Sequence, residues 1–106
     1  MGMTSRAGSW FTTAASARPH VLIAAVPGYA NLRIAAEAAA VRRHAVFATS
    51  AADADVLLVA GRPGPQLTRA IDVLWAQLPG PRARVQVATV DDLDDALKDP
   101  EIRGVM

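Results

Sequence analysis

Cysteine is absent from this 106-residue chain. That absence removes disulfides, thiolate nucleophiles and thiolate-held clusters together. Histidine is almost absent: only His20 and His44 occur, which argues against a zinc site. Lysine occurs once, against ten arginines, and the formal net charge is only +1. A balance that close to neutral is not the electrostatic footprint of a nucleic-acid binder. No apolar run approaches the ~20 residues that a membrane span needs. A secretory signal would need a continuous apolar stretch near the start, and Trp10-Phe11 alone does not make one.

Alanine and short aliphatic runs dominate what is present, at a length that fits one domain. Folding a chain of this size buries roughly 60–70% of the unfolded surface, which is adequate but modest. The charge is uneven. Residues 1–50 hold five Arg and one Glu, net +4, whereas residues 51–106 hold five Arg, one Lys and nine acids, net −3. Residues 1–18 contain no acid, show no steady period and are rich in Ser, Thr, Ala and Gly. They are expected to form a flexible arm, with Trp10 and Phe11 as a candidate anchor on a partner. Residues 19–99 are expected to form the α/β domain and residues 100–106 a C-terminal tail.

Residues 52–81 carry the clearest pattern. Val56–Ala60 is a continuous apolar run, as in a strand covered on both faces. Gly61, Pro63, Gly64 and Pro65 break it. Leu67, Ile71, Leu74 and Leu78 then recur at helical spacing until Pro79-Gly80-Pro81. Upstream, residues 21–26 form a second apolar run bounded by Pro19 and Pro27-Gly28, a second central strand. Residues 30–43 follow as a helix. Leu32, Ala35, Ala36, Ala39 and Ala40 give it a thin face that can pack close to a sheet. Arg42, Arg43 and His44 sit at its C-terminus, where the helix dipole favours cations.

Residues 45–48 predict a short edge strand. Only about seven residues then precede Val56, fewer than an ordinary parallel crossover takes. Ser50 and Asp53 have the spacing of a capping box, so one helical turn can bridge the gap. Residues 84–88 alternate as a fourth strand, and Thr89 can cap a last helix with Asp91 and Asp92 in its first turn. Val90, Leu93 and Leu97 are its expected buried side. Its acids lack the glycine and spacing of a calcium loop and read as a solvated face.

With right-handed crossovers, this order gives a small doubly wound, mostly parallel four-stranded sheet of order 2-1-3-4. The first and third strands lie side by side at the switch point, where open α/β sheets bind their ligands. The candidate crevice residues are therefore Gly28, Tyr29, Asn31 and Leu32 after the first strand, and Gly61, Arg62 and Gly64 after the third. Both histidines fall at the opposite edge, so no Ser–His–Asp arrangement can assemble there. Two helix N-termini and Arg62 could attract an anion. However, no GxGxxG is present, and GRPGPQLT lacks the lysine of a Walker loop.

The stretch ADVLLVAGRPGPQLTRAIDVLWAQLPGP resembles the matching segment in the iron–sulfur small subunits of nickel–iron hydrogenases and in the 20 kDa-type subunit of NADH:quinone oxidoreductase. That family carries an ADVLIVAG strand and a helix ending in Gln, an apolar residue and Pro-x-Pro. Here the ending is Gln77-Leu78-Pro79-Gly80-Pro81. The resemblance spans residues 19–89, is most specific at residues 54–81, and implies a flavodoxin-like fold. Where the family has a Gly-Cys-x-x-Cys-type loop, this chain has Gly28-Tyr29-Ala30-Asn31-Leu32, so Tyr29 and Leu32 stand at the cysteine positions. Ala88-Thr89-Val90 runs through where a further cysteine is supplied, and the family's later ligand segment has no counterpart before Met106. The family implies an iron–sulfur cluster, but its ligands are missing.

The expected function is a non-catalytic structural or assembly subunit of a hydrogenase- or NADH dehydrogenase-like redox complex. Its partner would be a larger redox subunit; no nucleic acid or membrane span is expected, no cofactor is assigned, and self-association is left open. The balance leans against an enzyme. The expected location is the cytoplasm, including the cytoplasmic side of a membrane complex. The alternative is a stand-alone small-molecule or anion-binding α/β module using Gly28, Asn31, Arg62 and Gly64.

Overall fold

The two apolar runs form the middle of the sheet, as their lack of alternation requires. The structure is a computed structural model and describes residues 18–98. In chain order it contains β1 (His20–Ala25), α1 (Ala30–Arg42), β2 (Val46–Phe47), a 3-10 turn (Ala51–Asp53), β3 (Val56–Ala60), α2 (Pro65–Gln77), β4 (Ala83–Val87) and α3 (Val90–Lys98). The sheet order is β2-β1-β3-β4, and every pairing is parallel. This is the expected 2-1-3-4 doubly wound sheet, consistent with a flavodoxin-like fold. Val21 pairs with Val56 and Ala25 with Ala60, while Ala60 also pairs with Val87. The C-terminal ends of β1, β3 and β4 are therefore level.

β3 is buried along its whole length, and its side chains alternate between two cores. Val56, Leu58 and Ala60 join Val21, Val87, the small-residue face of α1 and Leu93 of α3. Leu57 and Val59 join Ile71 of α2, Leu78, and Ala51 and Ala54 around the 3-10 turn. Thus α1 covers one face and α2 with the 3-10 turn the other, as right-handed crossovers dictate, and α3 packs beside α1. Ala36, Ala39 and Ala40 are all buried, which lets α1 lie close to the strands.

The helix ends follow from local chemistry. α1 closes in a Schellman pattern: the N–H of Ala45 donates to the Ala40 carbonyl and that of His44 to Val41. His44 holds the left-handed position, φ 60°, where glycine is usual. α2 starts with Pro65 in its first turn after Gly64, and ends where the Arg82 guanidinium covers the Trp75 ring at 4.1 Å. Arg82 also donates to the Trp75 carbonyl. Trp75 therefore packs at the helix edge. α3 has a reciprocal cap. The Asp92 carboxylate accepts from the N–H groups of Ala88 and Thr89, and the Thr89 hydroxyl oxygen accepts from the N–H of Asp92.

Three expectations change in detail. The edge strand is only two residues, Val46–Phe47, although backbone bonds from Val46 to Pro19 and from Ala48 to Val21 extend its contact with β1. The connecting turn forms, but Ser50 does not cap it. Asp53 turns to His20 instead, 3.3 Å from Nδ1. Val90 is exposed rather than buried, because it sits on the first turn of α3 before the helix has crossed back over the sheet. The 1–18 arm apart from Arg18, its Trp10 and Phe11 anchor, and the 100–106 tail lie outside the described residues.

Candidate functional site

The crevice is built by two turns and a ring. After β1, Val26-Pro27-Gly28-Tyr29 closes with the Tyr29 N–H donating to the Val26 carbonyl at 3.2 Å. Pro27 presets the second position of this turn, and Gly28, at φ +93°, supplies the positive angle of the third. After β3, Gly61 donates to the Val87 carbonyl at 2.7 Å and takes φ +123°. The Tyr29 ring then lies directly on Gly61. A Cβ built there would stand 2.6 Å from Tyr29 Cδ1 and 2.7 Å from Val26 Cβ. Tyr29 packs against both cores at once, so it closes the C-terminal end of the β1–β3 seam.

Two open hollows flank the ring. The larger, about 340 Å³, is lined by Gly28 to Leu32 and by Thr89 and Val90. The smaller, about 210 Å³, lies under residues 25–30 and Arg33. Gly28, Tyr29, Asn31 and Leu32 therefore meet as the sequence suggested, and Gly61 joins them through its contact with Tyr29. Arg62 and Gly64 line neither hollow. Thr89 and Val90 were missed. No sequence rule assigns them: no strand follows α3 among the described residues, so crossover handedness does not fix its face, and only its packing beside α1 carries the β4–α3 loop to the α1 N-terminus.

The chemistry of this lining is sparse. α1 has no acid in its first turn and no side-chain cap, so its N-terminal amides are open. α3 already carries Asp91 and Asp92 in its first turn. No polar or charged side chain is buried among the described residues, and no group of three or more His, Asp or Glu residues there could hold a metal ion. His20 and His44 lie at the other edge with Arg18, Asp53 and Asp55: Arg18 Nε donates to the His44 carbonyl at 2.7 Å, and the His20 N–H donates to Asp55 Oδ2 at 3.1 Å.

The positions that would carry a cluster's thiolates can be tested directly. Leu32 is a core residue, and Tyr29 is in van der Waals contact with the backbone of Gly61. Leu32 has no ligating atom, Tyr29 offers no thiolate of the kind that holds an iron–sulfur cluster, and its ring takes the space at the seam. The residues present do not fit an iron–sulfur cluster.

No family model, curated protein or solved structure matches this chain. No helix among the described residues is long and apolar enough to cross a membrane.

Proposed function

We propose that this chain is a docking component of a larger assembly, related in plan to the iron–sulfur small subunits that it resembles but built without their cluster. The observation that supports the reading is Tyr29. Its ring lies on Gly61 and closes the switch point with the protein's own side chain. An open α/β sheet ordinarily keeps that place for a ligand. With it filled, the rim of Asn31, Thr89 and Val90 becomes a surface for protein rather than a cavity for chemistry. The partner class is a large redox subunit of the hydrogenase or NADH dehydrogenase type.

Purification of the tagged chain from its native cells, with mass spectrometry of the eluate, tests this. A large redox subunit in stoichiometric amount, lost from an Asn31→Arg or Val90→Asp variant, is the expected result. A single species with no co-purifying redox subunit overturns it.

A second reading, an anion or small-molecule module, draws on the larger hollow and the uncapped N-terminus of α1. A thermal-shift screen against phosphates, nucleotides and flavins decides it. If no ligand raises the melting temperature, this reading is set aside.

A further inference from the structure

The α1 helix is apolar around most of its circumference, although only one side of it meets the sheet. Leu32, Ala36, Ala39 and Ala40 are buried. On the opposite side Ala30, Ile34, Ala38 and Val41 follow at helical spacing and are exposed, Ile34 by 56% and Val41 by 60%. A helix with a second apolar stripe opposite its buried one presents that stripe to a further partner. We propose that the outer side of α1 is a self-association surface, occupied by the α1 of a second copy packed antiparallel across a two-fold axis.

The order of side chains on the stripe argues for that occupant. It runs small, large, small, large. In an antiparallel pair, facing residues have numbers of nearly constant sum, to within a rise of about 1.5 Å per residue. Setting Ile34 opposite the partner's Ala38 also sets Val41 opposite the partner's Ala30. Each large side chain then meets a small one, and the helix axes can approach to about 8 Å.

Charge points the same way. Arg33 and Glu37 lie one turn apart along one edge of the stripe, and neither makes an ion pair within the described residues. In this register Arg33 reaches the partner's Glu37, and the symmetry repeats the pair, as an isologous contact must. A parallel in-register pairing would instead place Ile34 on Ile34 and carry the two Arg33–Glu37 edges to opposite sides of the interface, where they cannot pair with each other.

Sedimentation equilibrium of the purified full chain over a range of concentrations tests this, and no other protein is involved. Its failure would therefore leave the crevice reading untouched. The expected result is a concentration-dependent dimer. Ile34→Glu should weaken it by at least about tenfold, a loss of roughly 1.4 kcal/mol or more. Arg33→Glu alone and Glu37→Arg alone should each weaken it, and the double swap R33E/E37R should restore it. Ile34 is exposed, so an unchanged urea midpoint at monomeric concentration verifies that each variant folds. A monomer at every concentration overturns the proposal and leaves the stripe to another occupant, the chain's own residues 1–17 or a different protein. A dimer indifferent to Ile34→Glu, or charge swaps that do not rescue one another, overturns it as well.

Discussion

Replacing Gly61 with alanine puts the Tyr29–Gly61 contact to a direct test. Two costs add. The residue holds φ +123°, an angle that L side chains rarely adopt, and strain of this kind costs about 1–3 kcal/mol. The new methyl would also sit 2.6 Å from Tyr29 Cδ1, 2.8 Å from Tyr29 Cγ and 2.7 Å from Val26 Cβ. Forcing atoms into a filled site adds about 1–3 kcal/mol. The sum, about 2–6 kcal/mol, is a large part of the 5–15 kcal/mol that holds an ordinary domain together. At about 4–8 °C per kcal/mol, melting should fall by at least about 8 °C.

Two other glycines separate the terms. Gly28 has φ +93° and nothing within 4 Å of a built Cβ, so Gly28→Ala should show strain alone, about 1–2 kcal/mol. Gly64 has an ordinary φ of −74° and open space. There the loss of a better cap residue and the reduced freedom of the unfolded chain nearly cancel, to within about 0.5 kcal/mol. Urea unfolding of the three variants gives the series. In a Tyr29→Ala background two of the three close contacts at Gly61 vanish, so the cost of Gly61→Ala should drop by about 1 kcal/mol. If Gly61→Ala costs no more than Gly28→Ala, or the same with and without the ring, the reasoning about the closed crevice fails.

Two further changes are expected to read cleanly in the same assay. His44→Gly should stabilise the domain by about 1 kcal/mol, because His44 occupies the left-handed Schellman position, φ 60°, without a side-chain hydrogen bond among the described residues to retain it there; a loss of stability would mean that its side chain matters. Asp92→Ala should cost about 1–2 kcal/mol, since it strips acceptors from the Ala88 and Thr89 amides at once. If it matches the effect of Asp95→Ala, an exposed acid one turn on, the reciprocal cap contributes nothing.

The fold was legible because its central signals are local and redundant. Val56–Ala60 could only be a doubly covered strand, and Pro-Gly loops bracket each central strand on its C-terminal side. The capping pattern at Thr89 was legible for the same reason, since its groups lie within five residues. At Ser50 the same spacing misled, because Asp53 found His20, a partner thirty-three residues away, and no local pattern contains that contact. The left-handed His44 was likewise invisible, since Schellman closure leaves no mark when glycine is absent.

The sequence by itself determined the chemistry available to this protein. It lacks thiolates, it has two histidines, and the order of its strands sends both to the edge away from the switch point. Covalent composition and strand direction are one-dimensional facts, and no packing can alter them. Tertiary structure alone decided what stands in the crevice. Tyr29 could have turned to solvent; the missing Cβ of Gly61 and the level ends of β1 and β3 bring its ring onto the seam. The same is true of Thr89 and Val90, fifty-eight or more residues beyond Asn31, which reach the α1 N-terminus only because α3 crosses back over the sheet.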